Sequence, residues 1–134
     1  MNDYPKTPDS SELRVLEGRP QEESALSIVI AVRDPERAAS IPQLYKEYKE
    51  QFERVGHSYE FVFAVEGTAP EVVEDLRRLA ENGEPVTTLV FAKWYGGATV
   101  LSAAFDHTSG DVIVTLPAYH QIDPQTIPSL FPPL

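Results

Sequence analysis

Four short segments of this 134-residue chain hold side chains that could do chemistry, and each follows a run rich in apolar, β-branched residues. They are Arg33–Arg37, Glu66–Ala69, Lys93–Gly97 and Pro117–Asp123. Glu66 is a carboxylate able to accept hydrogen bonds from ribose hydroxyls or a base. Arg33 and Lys93 are cations that could neutralise a phosphate, and Gly96-Gly97 could present backbone N–H groups to an anion at a helix start. Trp94 and Tyr95 offer ring faces for stacking on a nucleobase. His120 and Asp123 could act as an acid–base or metal pair, whereas Asp111 reads as structural. Each also has a plainer reading: a solvated strand-end acid, a surface lysine, aromatics packed over a loop, turn glycines.

Several function classes are excluded by what these segments lack. No glycine interrupts Arg33-Asp34-Pro35-Glu36-Arg37, so a backbone could not close on a pyrophosphate there as in a dinucleotide-binding turn. Neither a P-loop nor a Gly-x-Ser-x-Gly nucleophile elbow occurs. Zero cysteines remove disulfides, thiolate zinc sites and thiol nucleophiles. A formal charge of −10, with no Lys or Arg after Lys93, argues against nucleic-acid binding, which needs cations against phosphates. A diphosphate would have to be held by a metal, by backbone N–H groups, or by Arg33 and Lys93. No apolar run approaches the roughly 20 residues of a transmembrane segment. The first 24 residues lack the basic start and apolar stretch of a signal peptide, so a cytoplasmic location is expected.

The elements that must carry these segments follow from periodicity. Leu26–Val32, Tyr59–Val65, Val86–Ala92 and Val112–Leu116 are strand-like runs, the last expected to be buried. Ser40 with Gln43, and Thr68 with Glu71, form capping-box patterns that predict helix starts. The first helix should bury Ile41, Leu44, Tyr45, Tyr48 and Phe52 and stop at Gly56; the second, Val72, Val73, Leu76, Leu79 and Ala80, stopping at Asn82-Gly83. A third, Ala98–His107, should bury Val100, Leu101, Ala104 and Phe105. Strands alternating with helices predict an α/β fold with a mostly parallel open sheet and helices on both faces. Ligands then sit beyond the C-terminal strand ends, where the strand order reverses.

Residues 1–24 read as a flexible N-terminal arm in which Leu13, Val15 and Leu16 could form a short strand, and 25–134 as the folded domain. A helical turn is expected near Gln125–Leu130. The apolar Leu130, Phe131 and Leu134 predict cover by a protein partner or a second copy.

The order of several small motifs adds a family. Asp34-Pro35-Glu36 follows the first strand, Val65-Glu66-Gly67-Thr68 ends the second, Lys93-Trp94-Tyr95-Gly96 precedes the third helix, Gly110-Asp111 opens the fourth strand and Asp123-Pro124 follows it. Over about residues 25–130 this resembles the nucleotide-binding half of family 2 glycosyltransferases, of the polyprenyl-phosphate mannose synthase type. The resemblance implies a GT-A fold, a nucleoside diphosphate sugar as ligand, and Mn²⁺ or Mg²⁺ bridging the diphosphate. It further implies Glu66 at the base or ribose, Asp34 or Glu36 near the nucleoside, Lys93 near the diphosphate and Gly96 in the turn beside it. The family's metal-binding Asp-x-Asp falls on Pro117-Ala118-Tyr119; Val65 and Trp94 replace a further Asp and an Asn. Proline and a neutral phenol do not replace anionic oxygens around a hard dication, so the ligands of the implied cation are missing. The family's acceptor half and catalytic base lie beyond residue 134, and no catalytic residue is assigned. The expectation is a glycosyltransferase-like domain that binds a donor sugar without transferring it alone. The alternative is a non-catalytic interaction module that has lost the nucleotide site.

Overall fold

A computed structural model describes residues 13–18, 24–33, 40–66, 69–93, 96–119 and 123–130. Its elements, in chain order, are β1 (Leu13–Glu17), β2 (Leu26–Val32), α1 (Ile41–Val55), β3 (Tyr59–Glu66), α2 (Pro70–Glu81), β4 (Val86–Phe91), α3 (Gly97–Asp106), β5 (Val112–Thr115) and a 3₁₀ helix, Pro124–Leu130. The α/β class holds. The five strands lie in the order β1-β4-β3-β2-β5. Strands β4, β3, β2 and β5 are mutually parallel, and β1 adds to β4 antiparallel, with Leu13 opposite Phe91. Leu13, Val15 and Leu16 thus form the short strand that the sequence allowed, at a sheet edge.

Helices cover both faces, as expected. On one, α1 and α2 pack Leu44, Tyr45, Tyr48, Phe52, Val73 and Leu76 against the alternating residues Ile28, Ile30, Phe61, Phe63 and Val65; Ile127 of the 3₁₀ helix joins them. On the other, α3 sets Val100 and Ala104 over Val29, Val62, Ala64, Leu89 and Phe91. The period-2 alternation of β2 and β3 sends successive side chains to opposite layers, so strands covered on both sides must be apolar almost throughout.

Four expectations are corrected. The Ser40 capping box does not form. Ser40 precedes α1 without a side-chain bond, Gln43 Nε2 donates to Glu47 Oε1 at 3.1 Å, and Pro in the first turn sets the entry. The second helix begins at Pro70 with Ala69 as its cap, one residue after the position the pattern implied; Thr68 lies outside the described residues. Phe105 is 39% exposed because Val100 and Ala104 define the buried face of α3 and Phe105 points off it. Strand β5 is no buried strand: it sits at the sheet edge, with Val112 49% and Ile113 41% exposed. A β-branched run signals a strand but not a neighbour on its far side.

Candidate functional site

In the observed order the chain steps outward from β2 through β3 to β4, then returns to the other flank of β2 with β5. The switch point of the sheet therefore lies between the C-terminal ends of β2 and β5. Register sets the geometry there. Val32 pairs with Val65, and Glu66 with Phe91, so β2, β3 and β4 end nearly level. Strand β5 stops lower, Thr115 lying opposite Val29, so that Leu116–Tyr119 run on beside the last residues of β2.

That segment is seated on the core rather than open. The Leu116 N–H donates to the Val29 carbonyl at 3.0 Å, prolonging the ladder by one bond. Tyr48 of α1 donates its hydroxyl to the Pro117 carbonyl oxygen at 2.9 Å. Ala118 is 3% exposed, and Tyr119 packs against the α1/α2 layer. Burial, and secondarily the charge of Glu47, pushes the Tyr48 hydroxyl from 10.0 up to about 12. A folded-state value above the unfolded one gives stability that is fully present below pH 10 and is lost as pH rises toward 12. Tyr48→Phe should therefore flatten part of that alkaline loss, and near neutral pH cost about 1 kcal/mol for the missing hydrogen bond. Urea melts at pH 7, 10 and 12 check this; identical pH profiles for the two proteins would refute it.

The expected site residues divide as follows. Glu66 ends β3 in register with Phe91. Lys93 is exposed just beyond β4, and Arg33 is exposed just beyond β2. Gly96 caps α3 at φ 92°, a left-handed value that disfavours a side chain, and its carbonyl accepts the Val100 N–H at 3.1 Å. The ends of β3 and β4 thus bring Glu66, Lys93 and the start of α3 onto one rim. Asp34, Glu36, Trp94, Tyr95 and His120 lie outside the described residues. Asp123 is committed locally: its Oδ1 accepts the Gln125 N–H at 3.0 Å and its carbonyl the Thr126 N–H at 3.0 Å, starting the 3₁₀ helix. His107 closes α3, its Nδ1 2.9 Å from the Ala103 carbonyl oxygen. A separate groove of about 380 Å³ lies between α3 and Leu13 of β1, lined by Thr99, Ser102, Ala103, Asp106 and His107 among others. Among the described residues, none of the expected site residues lines it.

The chemistry of Pro117–Tyr119 does not fit a divalent cation. A bonded proline carbonyl, a buried alanine and a packed tyrosine stand where carboxylates would be required. Among the described residues no group of three or more His, Asp or Glu could hold a metal ion. Tyr48 was missed as a part of this rim. Tyr48 reads only as core, and its clue is the hydroxyl, since a buried phenol needs an acceptor.

No protein-family model matches the chain. It is 31% identical over 106 residues, 78% of its length, to the undecaprenyl-phosphate 4-deoxy-4-formamido-L-arabinose transferase of Pseudomonas syringae pv. syringae (strain B728a). The enzymes of the same name from Enterobacter sp. (strain 638) and Pseudomonas savastanoi pv. phaseolicola (strain 1448A / Race 6) are 32% identical over 78% of the chain and 30% over 84%. The chain is glycosyltransferase-like. It covers about a third of those relatives, 31 to 33% of their length. No helix among its described residues is long and apolar enough to cross a membrane.

Proposed function

We propose that this glycosyltransferase-like chain is a family 2, GT-A-type donor domain that binds a nucleoside diphosphate sugar at the C-terminal rim without a divalent cation and does not transfer the sugar by itself. The observation carrying this reading is the seating of Pro117–Tyr119 on the core at the switch point, which keeps the rim but removes the metal grip. In it, Glu66 takes the ribose or base, Asp34 or Glu36 lies near the nucleoside, and Lys93 with the backbone N–H groups after Gly96 faces the diphosphate. The similarity to transferases that act on undecaprenyl phosphate supports a sugar-nucleotide ligand. A cytoplasmic location belongs to the same reading.

Thermal unfolding with UDP, GDP and their sugars, with Mn²⁺ or with EDTA, tests it. One of these ligands at a hundredfold over its Kd should stabilise the chain by about 2.7 kcal/mol, equally in EDTA, and Glu66→Ala should abolish the gain. Stabilisation that needs Mn²⁺ would overturn the metal-free rim; no stabilisation by any ligand would overturn binding. The interaction-module reading is favoured by one observation, the exposure of Phe105, Val112 and Ile113 around α3 and β5. Phe131, Leu134 and the Leu130 side chain, where sequence placed a partner or second copy, lie outside the described residues. Sedimentation at rising concentration distinguishes this reading by self-association or its absence.

A further inference from the structure

An acid is buried at the bottom of the sheet, near the start of β3. Glu60 of β3 is fully buried, in register with the equally buried Ser27 of β2. A buried carboxylate with no cation costs several kcal/mol unless donors converge on it. Here three do, all on Oε2: the Ser27 hydroxyl at 2.5 Å, the Ser109 N–H at 2.6 Å and the Ser109 hydroxyl at 2.7 Å. Ser27 Oγ in turn accepts the Gly110 N–H at 2.7 Å. Four residues from β2, β3 and the turn before β5 are thereby interlocked. The remaining Glu60 oxygen, Oε1, has no hydrogen-bond partner among the described residues, so the described hydrogen bonds of this carboxylate all go to that turn and to Ser27.

Strand β5 needs such an anchor. It has four residues, pairs on one side only, and leaves Val112 and Ile113 substantially exposed, so burial holds it weakly. Its start is tied by the interlock and by the Val112 N–H to the Ala25 carbonyl at 3.2 Å. Its end is tied by the Leu116 N–H to Val29 and by Tyr48 to Pro117. Between those ends it is a strut joining the bottom of the sheet to the rim.

We propose that Glu60 is a positioning residue for the rim: by latching Ser109-Gly110 to the sheet it fixes β5, and through β5 it seats Pro117–Tyr119 at the switch point. The distance spanned is roughly 20 Å, the rise from Glu60 to Glu66 along β3 at about 3.3 Å per residue. Charge-assisted acceptance is roughly twice as strong as its neutral counterpart, so an isosteric amide should loosen the latch without emptying the space. The ligand consequence rests on the donor-domain reading above; the latch itself does not.

Residue-resolved amide exchange without nucleotide tests the latch in Glu60→Gln and Ser27→Ala. The Val112 and Leu116 amides should exchange at least tenfold faster. The Phe61 amide, bonded to the Pro85 carbonyl at 2.8 Å, should stay within twofold and so report that the centre of the sheet is intact. Unchanged Val112 and Leu116 rates, or equal acceleration at Phe61, would overturn the proposal. If Glu60→Gln does not fold, Ser27→Ala decides on the same rates. Where the wild type binds a nucleotide, both variants should bind it at least threefold more weakly; unaltered affinity despite faster exchange would refute the link to the rim. Absence of binding in the wild type would remove the donor-domain reading and leave the exchange result standing.

Discussion

Phe61→Ala is expected to lower the stability of this domain by about 3–5 kcal/mol, a large part of the roughly 5–15 kcal/mol that holds a domain together. Phe61 is fully buried at the centre of β3 and touches four other rings. Its centroid lies 4.9 Å from Tyr45 and 5.9 Å from Phe52, both edge-on, 5.8 Å from Tyr59 and 6.2 Å from Phe63. These geometries match the preference of aromatic quadrupoles for edge or offset contact and add to the area term. Collapse around the truncated side chain is opposed on every side. Strand β3 is fixed by parallel partners on both edges, and Tyr45 and Phe52 are held on α1, whose other buried residues pack the same layer. Urea denaturation followed by circular dichroism measures the loss. A loss below about 1.5 kcal/mol would mean that the layer refills the space and is more plastic than its ring contacts imply.

Gly110→Ala should destabilise by about 3 kcal/mol or prevent folding, whereas Gly97→Ala should be neutral or stabilise slightly. A methyl on Gly110 would lie 2.6 Å from both the backbone nitrogen and the hydroxyl of Ser27, and 2.8 Å from the Leu26 carbonyl carbon. Two of those three atoms are backbone of β2, which is paired on both sides and cannot retreat. The same methyl would wedge apart the Gly110–Ser27 contact on which the Glu60 interlock depends. At Gly97 an added Cβ meets nothing within 4 Å among the described residues, and the position is the first of a helix, where alanine loses less chain entropy. Thermal melts of the two variants side by side decide it. Equal effects would show that turn flexibility, not close approach, is why glycine stands before β5.

Much of this fold was legible because periodicity reports which face of an element is apolar. The α1 stripe, Ile41, Leu44, Tyr45, Tyr48 and Phe52, is buried as its spacing required, and the doubly apolar β2 and β3 are central strands. Periodicity does not report whether a neighbour exists. The run Val112–Thr115 has the same composition as a buried strand, and only the strand order reveals it as an edge. For the same reason Phe105, one residue past a buried Ala104, was assigned to the core. The Ser40 capping box does not form although its spacing is right, since spacing does not fix which way a side chain bonds, and Gln43 turns to Glu47. At the rim, Pro117-Ala118-Tyr119 was legible as a segment without carboxylates, but its seating by Tyr48 was not, since a tyrosine on an apolar stripe shows no direction for its hydroxyl. Glu60 and Ser27 did carry a usable sign: a polar residue within a strand expected to be covered on both faces needs a partner, and each supplies the other's.

The strand order also dictates a sequence of assembly. Strands β2, β3 and β4 with α1 and α2 come from one uninterrupted stretch, so their pairings form between chain segments separated only by single helices. Both outer strands close far longer loops: Leu26 must find Val112, and Phe91 must find Leu13. Loop-closure entropy delays such distant pairings. On a ribosome the outer flank of β2 is therefore bare until residue 112 emerges, and Ser27 waits there, its hydroxyl beside a buried acid, for the turn that completes it.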